Sequence, residues 1–240
     1  MLNQKHFLLL VLVLSLGLLL SGCNGGPGNY EIEFECENFE DLVRGNLDFW
    51  QAPIPEDEPI YRDDVKNLTH INVRDAELEG NITSLEGVQS FIKLNAIYID
   101  EENISDISPL GELTNLERIS LSNNSITDIS ALSGLNNLDT VFLGQNDITD
   151  ISVLENCTEL RQLRLSRNEN LADISPLEKL TNLELIAIGY CNVKDLTPLA
   201  NNPGLGEGDR VEVHRNPYEK NENSEAIIEE LRDRGVNVKR

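Results

Sequence analysis

A repeat of 22 residues dominates the middle of this chain. Residues 113–134 read LTNLERISLSNNSITDISALSG, and residues 135–156 follow as LNNLDTVFLGQNDITDISVLEN. With Leu113 as position 1, apolar residues recur at positions 1, 4, 7, 9, 14, 17 and 20. A fixed period with apolar residues at fixed places indicates a solenoid, because each coil can bury its apolar side chains only against neighbouring coils.

The same frame extends in both directions. Between Val65 and Asn201 it predicts five coils, of which the first carries about four extra residues around Glu77–Asn81 and a later one carries one extra residue near Asn170. A further strand, Val211–Val213, follows a Gly-rich loop over 203–209. Segments such as Ile119–Leu121 place alternate side chains on opposite sides, so we expect each coil to contribute one short β-strand.

Two polar columns accompany the apolar ones. Position 12 is Asn124, Asn146 and Asn168, and an Asn there can pair with backbone groups of the turn that leaves the strand. A metal-binding interpretation exists for the column at position 16, but Asp in turns ordinarily bonds its own backbone two residues on, and neighbouring coils are expected to be too far apart to share a metal ion. We therefore expect no metal ion and no cofactor. The position 16 residues are Asp106, Asp128, Asp150, Asp173 and Asp195.

The consensus L-x-x-L-x-x-I/L-x-L-x-x-N-x-I-x-D-I/L-S-x-L over residues 65–201 resembles the leucine-rich repeats of bacterial internalins. The resemblance implies an α/β solenoid: a right-handed coil with a concave parallel β-sheet, a convex side of 3₁₀ or extended segments, and helical caps at both ends. It also implies a role in binding proteins. Position 12 departs from the pattern in the first full coil, which has Glu102, and in the last, which has Cys191.

The ends of a solenoid need caps, because open ends expose apolar coils and unpaired strand edges. We assign residues 30–64 to an N-terminal cap, with a half-buried strand over Tyr30–Cys36 and then a helix that Asn38 caps. Residues 65–201 form the five repeats. We assign residues 202–240 to a C-terminal cap of strand plus helix, in which Ser224 begins the helix and Gly235 ends it.

The first 22 residues are typical of a bacterial lipoprotein signal peptide. Lys5 precedes a 14-residue apolar run, Phe7–Leu20, which is short for a membrane span. Leu20-Ser21-Gly22-Cys23 resembles a lipobox, which implies cleavage before Cys23 and a lipid on its thiol; an ordinary secretory signal is the alternative. With residues 23–29 as a flexible tether, we expect an extracytoplasmic domain anchored by lipid to the membrane of the cell envelope.

Charge and cysteine content narrow the functional classes. The formal net charge of −23 disfavours nucleic acid as a partner, since the phosphates would be repelled. Cys36, Cys157 and Cys191 are an odd number, and we favour buried free thiols over a disulfide between chains.

The sequence carries no nucleophile elbow, phosphate-binding Gly loop or HExxH motif, and His70 and His214 are too far apart to indicate a catalytic triad. We expect a protein that is not an enzyme.

Positions 6, 8, 10 and 11 are expected to point outward from the sheet, and together they form what we call the sheet face. They hold six Arg against four carboxylates in a chain that is otherwise strongly acidic, together with aromatic residues of the types enriched in interfaces. We expect this face to bind a protein or a surface polysaccharide, with the chain acting as a monomer; a structural role through self-association is the rival. The candidate binding residues are Tyr98, Arg118, Phe142, Arg164, Arg167, Tyr190 and His214.

Overall fold

In the part of the chain that the structure describes, eight parallel strands make one sheet, in which each strand lies beside the next in chain order from β1 to β8. This computed structural model describes residues 29–50, 54–75, 78–220 and 223–240, so the signal peptide, Cys23 and nearly all of the tether lie outside the described residues. Each strand pairs in register with the next: Ile119 lies opposite both Ile97 and Val141. The parallel solenoid predicted from the repeat is confirmed. The strands are β1 His70–Asn72, β2 Ala96–Tyr98, β3 Arg118–Ser120, β4 Thr140–Phe142, β5 Gln162–Arg164, β6 Leu185–Ala187, β7 Arg210–Glu212 and β8 Asn237–Lys239.

The expected number of coils between Val65 and Asn201 is wrong. Strands β1 to β6 all lie in this segment, so it holds six coils and not five. The first coil does not follow the 22-residue period, because Ile71 pairs with Ile97, 26 residues further along the chain. The sequence pattern therefore identifies this coil less clearly than the others. Strand β7 corresponds to the expected Val211–Val213, whereas β8 is an additional strand that the sequence did not reveal.

The apolar positions of every coil face one continuous core. In the third coil, Leu116, Ile119, Leu121 and Ile126 are fully buried. The chain returns along the opposite side through short turns, as expected for 3₁₀ or extended segments. These are 3₁₀ turns at Val88–Ser90, Ser108–Leu110, Ser130–Gly134, Ser152–Asn156 and Ser175–Lys179, followed by the short helix Thr197–Asn201 (α3).

Stacked Asn side chains close the turns that follow β3, β4, β5 and β7. The Asn146 amide nitrogen donates to the carbonyls of Leu121 (3.0 Å) and Leu143 (3.1 Å), and its Oδ1 accepts from the Ile126 N–H (2.9 Å). Asn124 and Asn168 repeat this pattern one coil earlier and one coil later. Asn216 extends it beyond the predicted repeats. The ladder satisfies backbone groups that would otherwise be buried without partners.

The two departures at position 12 use different chemistry. Glu102 Oε2 accepts from the Ile82 N–H at 2.6 Å, so a carboxylate replaces the acceptor half of Asn, and burial raises the pKa of Glu102. Cys191 replaces the donor half, with its Sγ 3.4 Å from the Leu165 carbonyl oxygen. It need not supply an acceptor, because the extra residue near position 170 lets the Leu171 N–H bond to the Asn168 carbonyl at 3.0 Å.

The N-terminal end is covered by the helix Glu37–Trp50 (α1) and the short helix Arg62–Val65 (α2). The strand expected over Tyr30–Cys36 is reduced to one antiparallel bridge between Glu31 and Tyr61. Asn38 does not cap α1; its amide nitrogen instead donates to the Asn81 carbonyl at 3.0 Å. Asn46 on α1 bonds both the N–H (3.1 Å) and the carbonyl (3.2 Å) of Asn72, and so pairs with the edge of β1 as a further strand would.

The C-terminal end is covered by the helix Ser224–Asp233 (α4), which packs against β8. Ser224 is the first residue of α4 and not its cap: its hydroxyl is buried and donates to the Tyr218 carbonyl at 3.0 Å. Gly235 follows the helix with a φ of 90°, the left-handed conformation that commonly ends a helix. Among the described residues, no helix is long and apolar enough to cross a membrane.

Candidate binding surface

The sheet face is less uniform than its sequence positions suggest. Side chains that flank the strand centres reach solvent, as expected for the pleat. Four of these positions are nevertheless buried, because their occupants are so small that larger neighbours cover them: Ala96, Ser120, Ala187 and Gly189. Exposure is therefore concentrated in the larger residues, including Arg164, Arg167 and Tyr190.

Arg164 and Phe142 form the first stacked pair on this face. They are register partners in β5 and β4, and the guanidinium carbon of Arg164 lies 4.5 Å from the centre of the Phe142 ring. This contact restrains the arginine, and because an aromatic ring takes up none of the conventional hydrogen bonds of the guanidinium group, its N–H groups are left to donate to another group.

A second stack on this face consists of Arg167, Tyr190 and His214. The Arg167 guanidinium carbon lies 4.5 Å from the centre of the Tyr190 ring, and the rings of Tyr190 and His214 meet edge to face at 5.2 Å. Gly189 makes room for this arrangement, since a Cβ there would lie 2.5 Å from His214 Nε2. Tyr190 is 38% exposed despite both contacts.

Tyr98 and Arg118 lie apart from these two stacks. Tyr98 is half-buried, and Arg118 pairs with the neighbouring Glu117 at 3.4 Å. The structure therefore groups five of the seven candidate residues into two stacks, while Tyr98 and Arg118 stand outside them.

The described residues of the sheet face enclose two hollows. One of about 320 Å³, here called the arginine hollow, contains three arginines and one carboxylate; the other, of about 430 Å³, contains Tyr98 and is called the tyrosine hollow. Phe142 lines the tyrosine hollow and Arg164 lines the arginine hollow, so this stacked pair lies where the two approach each other. The arginine hollow is lined by Ser122, Gly144, Gln145, Arg164, Ser166, Arg167, Leu185, Ala187, Arg210 and Glu212, and the tyrosine hollow by Asn72, Val73, Arg74, Tyr98, Asp100, Glu101, Ser120 and Phe142.

Position 11 has a left-handed backbone in six successive coils, a feature that the repeat pattern does not predict. Such a φ is uncommon outside Gly, and Asn123 is the one occupant of a type enriched there. Hydrogen bonds between coils hold the conformation: the Arg167 N–H donates to the Gly189 carbonyl, and the Tyr190 N–H to the His214 carbonyl. The six residues are Glu101, Asn123, Gln145, Arg167, Tyr190 and Arg215, with φ between 55° and 66°.

Asp100 organises the coil that follows it and is not among the predicted binding residues. Its carboxylate accepts from the Ser120 hydroxyl at 2.7 Å and from the Ser122 N–H at 2.7 Å, and it lines the tyrosine hollow. Position 10 holds this one carboxylate and no other, and no repeat pattern marks it. The bonds fix Asp100 against the next coil.

The position 16 carboxylates bond their own turns. Each accepts from the backbone N–H two residues on, for example Asp150 from Ser152 at 2.8 Å and Asp195 from Thr197 at 2.9 Å. Hydrogen bonds from Ser152 and Thr197 lower the pKa of Asp150 and Asp195 respectively. Within the described residues, no group of three or more His, Cys, Asp or Glu could hold a metal ion.

Three buried thiols lie away from the sheet face hollows. Burial raises the pKa of Cys157 and of Cys191 to about 11, so both are protonated at neutral pH. Burial also raises the pKa of Cys36, but hydrogen bonds from Thr83 and Phe39 outweigh it and leave the pKa lowered. All three cysteines are free, as expected.

The in-register sheet, the 3₁₀ returns and the Asn ladder define a leucine-rich-repeat solenoid. Residues 114–156 and 136–179 match the sequence model of a family described as Leucine Rich repeats (2 copies). No curated protein sequence matches the chain.

Among solved structures, the chain is similar to an internalin (inlF) from Listeria monocytogenes, with 30% identity and a TM-score of 0.67 over 76% of this chain. The chain spans only 51% of that internalin. An internalin C2 from the same organism gives 23% identity and a TM-score of 0.56 over 78% of this chain and 92% of its own. A leucine-rich-repeat protein from Leptospira interrogans gives 21% identity and a TM-score of 0.62 over 74% of this chain and 44% of its own. The last two likenesses concern the fold alone.

Proposed function

We propose that this chain is a non-catalytic module that binds a protein partner through its sheet face. The observation that carries the proposal is the pair of stacks Arg164–Phe142 and Arg167–Tyr190. Aromatic and arginine side chains held in place on a rigid sheet lose little conformational entropy when a partner binds, and these residue types dominate interface hot spots. Leucine-rich-repeat proteins generally bind proteins, which supports the same conclusion.

The double substitution Phe142→Ala with Arg164→Ala tests the proposal. The native partner is first captured from the cell envelope with the wild-type domain and identified, and its affinity is then measured by calorimetry. We expect the double variant to bind about 30-fold more weakly or worse, because hot-spot residues contribute about 2 kcal/mol or more. Circular dichroism and thermal unfolding should show an intact fold.

A matched control removes one exposed apolar residue and one exposed arginine from other surfaces. Ile92 is 47% exposed in the turn before β2, and Arg232 lies on α4, where it pairs with Glu229. The Ile92→Ala and Arg232→Ala variant should bind the partner as the wild type does. Equal affinity of the sheet-face variant and the wild type would remove the sheet face from the proposal.

Two other functions are alternatives, and each has its own test. An exposed aromatic residue beside polar groups, as at Tyr190 next to Arg167 and His214, also suits a surface polysaccharide, which binding to a glycan array would detect. A structural role through self-association would show as a mass that rises with concentration in sedimentation experiments. We propose a monomer, and a constant mass is the expected result.

We further propose that Cys23, outside the described residues, carries the lipid that holds the domain on the cell envelope. When the full chain is expressed in a bacterium that processes lipoproteins, it should partition into detergent, and mass spectrometry should find a diacylglyceryl group on Cys23 as the first residue. Cys23→Ser should abolish both results, while Cys36→Ser should change neither. A mature wild-type chain with an unmodified Cys23 would contradict the anchor.

A further inference from the structure

We infer that the arginine hollow binds acidic side chains of a peptide segment in the partner. This inference deepens the proposed function and rests on it. The hollow is lined by Arg164, Arg167 and Arg210 with Glu212 as its one carboxylate, in a chain whose net charge is −23. An anionic segment is repelled by most of this molecule, so the hollow is where such a segment gains attraction.

Arg164 and Arg167 are the cations free to receive an acidic group. Neither forms an ion pair with any carboxylate in the described parts of the chain. Arg210 differs, because it is paired with Glu212, which also lies 3.7 Å from Lys239 Nζ. Glu212 offsets one of these two cations, so Arg210 and Lys239 together keep one positive charge, and the arginines without a carboxylate partner are the two stacked ones.

Stacking prepares both guanidinium groups for a carboxylate. Each guanidinium carbon lies over an aromatic ring, 4.5 Å from its centre, and this contact restrains the side chain without using its N–H donors in a conventional hydrogen bond. An arginine edge matches a carboxylate with two parallel hydrogen bonds, and a side chain already held in place loses little freedom on binding. The geometry favours a bidentate carboxylate ligand.

The remaining walls fit a peptide better than a phosphate polymer. The Ser166 hydroxyl oxygen accepts from the Gly189 N–H at 3.1 Å, so its own hydrogen can point into the hollow as a donor. Leu185 and Ala187 form an apolar part that suits side-chain methylene groups. Two free arginines are too few for a nucleic acid or a heavily sulfated chain, whose binding relies on many cations in a row.

The test uses the purified full chain in detergent and a fluorescein-labelled pentaglutamate peptide, with binding followed by fluorescence anisotropy at 150 mM salt. At this ionic strength the Debye length is about 8 Å, so distant charges contribute little. We expect Arg164→Gln with Arg167→Gln to weaken binding about tenfold or more. The control Arg161→Gln with Arg232→Gln changes net charge equally at exposed sites outside the hollow and should stay within about twofold of the wild type.

Conservative variants distinguish a built site from general attraction. Arg164→Lys with Arg167→Lys keeps the charge but loses the planar edge, so binding should remain about tenfold weaker. Wild-type affinity in this variant, no detectable pentaglutamate binding by the wild type, or tighter binding of inorganic pyrophosphate than of pentaglutamate would each overturn the inference.

Failure of the inference and failure of the proposed function give different results. If pentaglutamate does not bind but the Phe142→Ala and Arg164→Ala variant still loses the native partner, the proposed function stands and the acidic ligand is wrong. If pentaglutamate binds through Arg164 and Arg167 while the native partner is indifferent to the sheet face, the hollow stands and the proposed function is wrong.

Discussion

Replacing Asn146 with Ala should lower the free energy of unfolding by about 3–5 kcal/mol. The side chain is buried and serves three backbone groups: the carbonyls of Leu121 and Leu143 and the N–H of Ile126. Ala leaves the Ile126 N–H without a partner, which costs about 1–3 kcal/mol in the interior. The two carbonyls keep a second donor, Asn124 for Leu121 and Asn168 for Leu143, and each loses one hydrogen bond, worth about 0.5–1.5 kcal/mol. Urea denaturation of the wild type and the variant, followed by circular dichroism, measures the difference.

Asn137→Ala provides the matched control. Asn137 is exposed and its amide nitrogen donates to one backbone carbonyl, that of Thr114, at 2.8 Å. Water replaces that bond when the side chain is removed, so we expect a loss of less than about 1 kcal/mol. A loss for Asn146→Ala as small as that of the control would mean that the Asn ladder adds little to the free energy of unfolding. Apolar stacking alone would then hold the coils together.

Cys191 shows that the residue at position 12 does not always have to accept a hydrogen bond. A thiol near the Leu165 carbonyl can donate weakly, and at this one place the acceptor is not needed, because the Asn168 carbonyl takes the Leu171 N–H. No extra residue occurs in the coil before Asn146, where the Ile126 N–H depends on the Asn146 side chain. The structure therefore explains why a departure from the consensus is accommodated at one end of the solenoid.

The sheet could be predicted from the sequence because the same short pattern of apolar residues recurs in every coil. A residue such as Val141 occupies the same place in the sequence period as Ile119 and Leu163, and the structure pairs all three in register. That register also places Phe142 beside Arg164, so their stack follows from the column of position 8. Because the coils share one pattern, each apolar residue packs against the residue at the same position in the next coil.

The caps were predicted less well because they occur once and have no period to read. The alternating residues 31–36 satisfy the pattern of a strand, and Ile32 and Cys36 are buried as that pattern requires. Hydrogen bonding to a neighbour decides whether such a segment is a strand, and only one bridge, from Glu31 to Tyr61, forms here. The role of Asn46 at the edge of β1 depends on how α1 packs, which the sequence does not encode locally.

The candidate surface was predictable in outline but not in shape. Position in the period identifies which side chains leave the sheet, but not that Ala187 and Gly189 are covered by their neighbours or that position 11 is left-handed. The arginine hollow arises from the sizes of side chains in several coils at once. Its location is therefore a tertiary property of the assembled sheet.

A methyl group added at Gly204 should destabilise the C-terminal end severely. The loop after α3 is held by Asn202, whose Oδ1 accepts from the Gly204 N–H at 2.8 Å and whose amide nitrogen donates to the carbonyls of Leu177 and Leu180. Arg234 adds hydrogen bonds to backbone carbonyls on the same loop, including that of Leu205 at 2.6 Å. A Cβ at Gly204 would lie 2.5 Å from the carbonyl carbon of Thr181 and would overlap its oxygen.

The obstructing atoms are backbone, so relief requires the loop or the preceding coil to move, against the bonds of Asn202 and Arg234. We expect Gly204→Ala to cost about 3 kcal/mol in urea denaturation. Gly134→Ala is the control: nothing lies within 4 Å of its added Cβ, so we expect no loss or a gain of up to about 1 kcal/mol. Hydrogen exchange should locate the weakening in residues 202–240 and leave the protection of β3 and β4 unchanged, because distant coils interact only through those between them. Equal stability of the two variants would show that the loop can slide away from Thr181 at little cost.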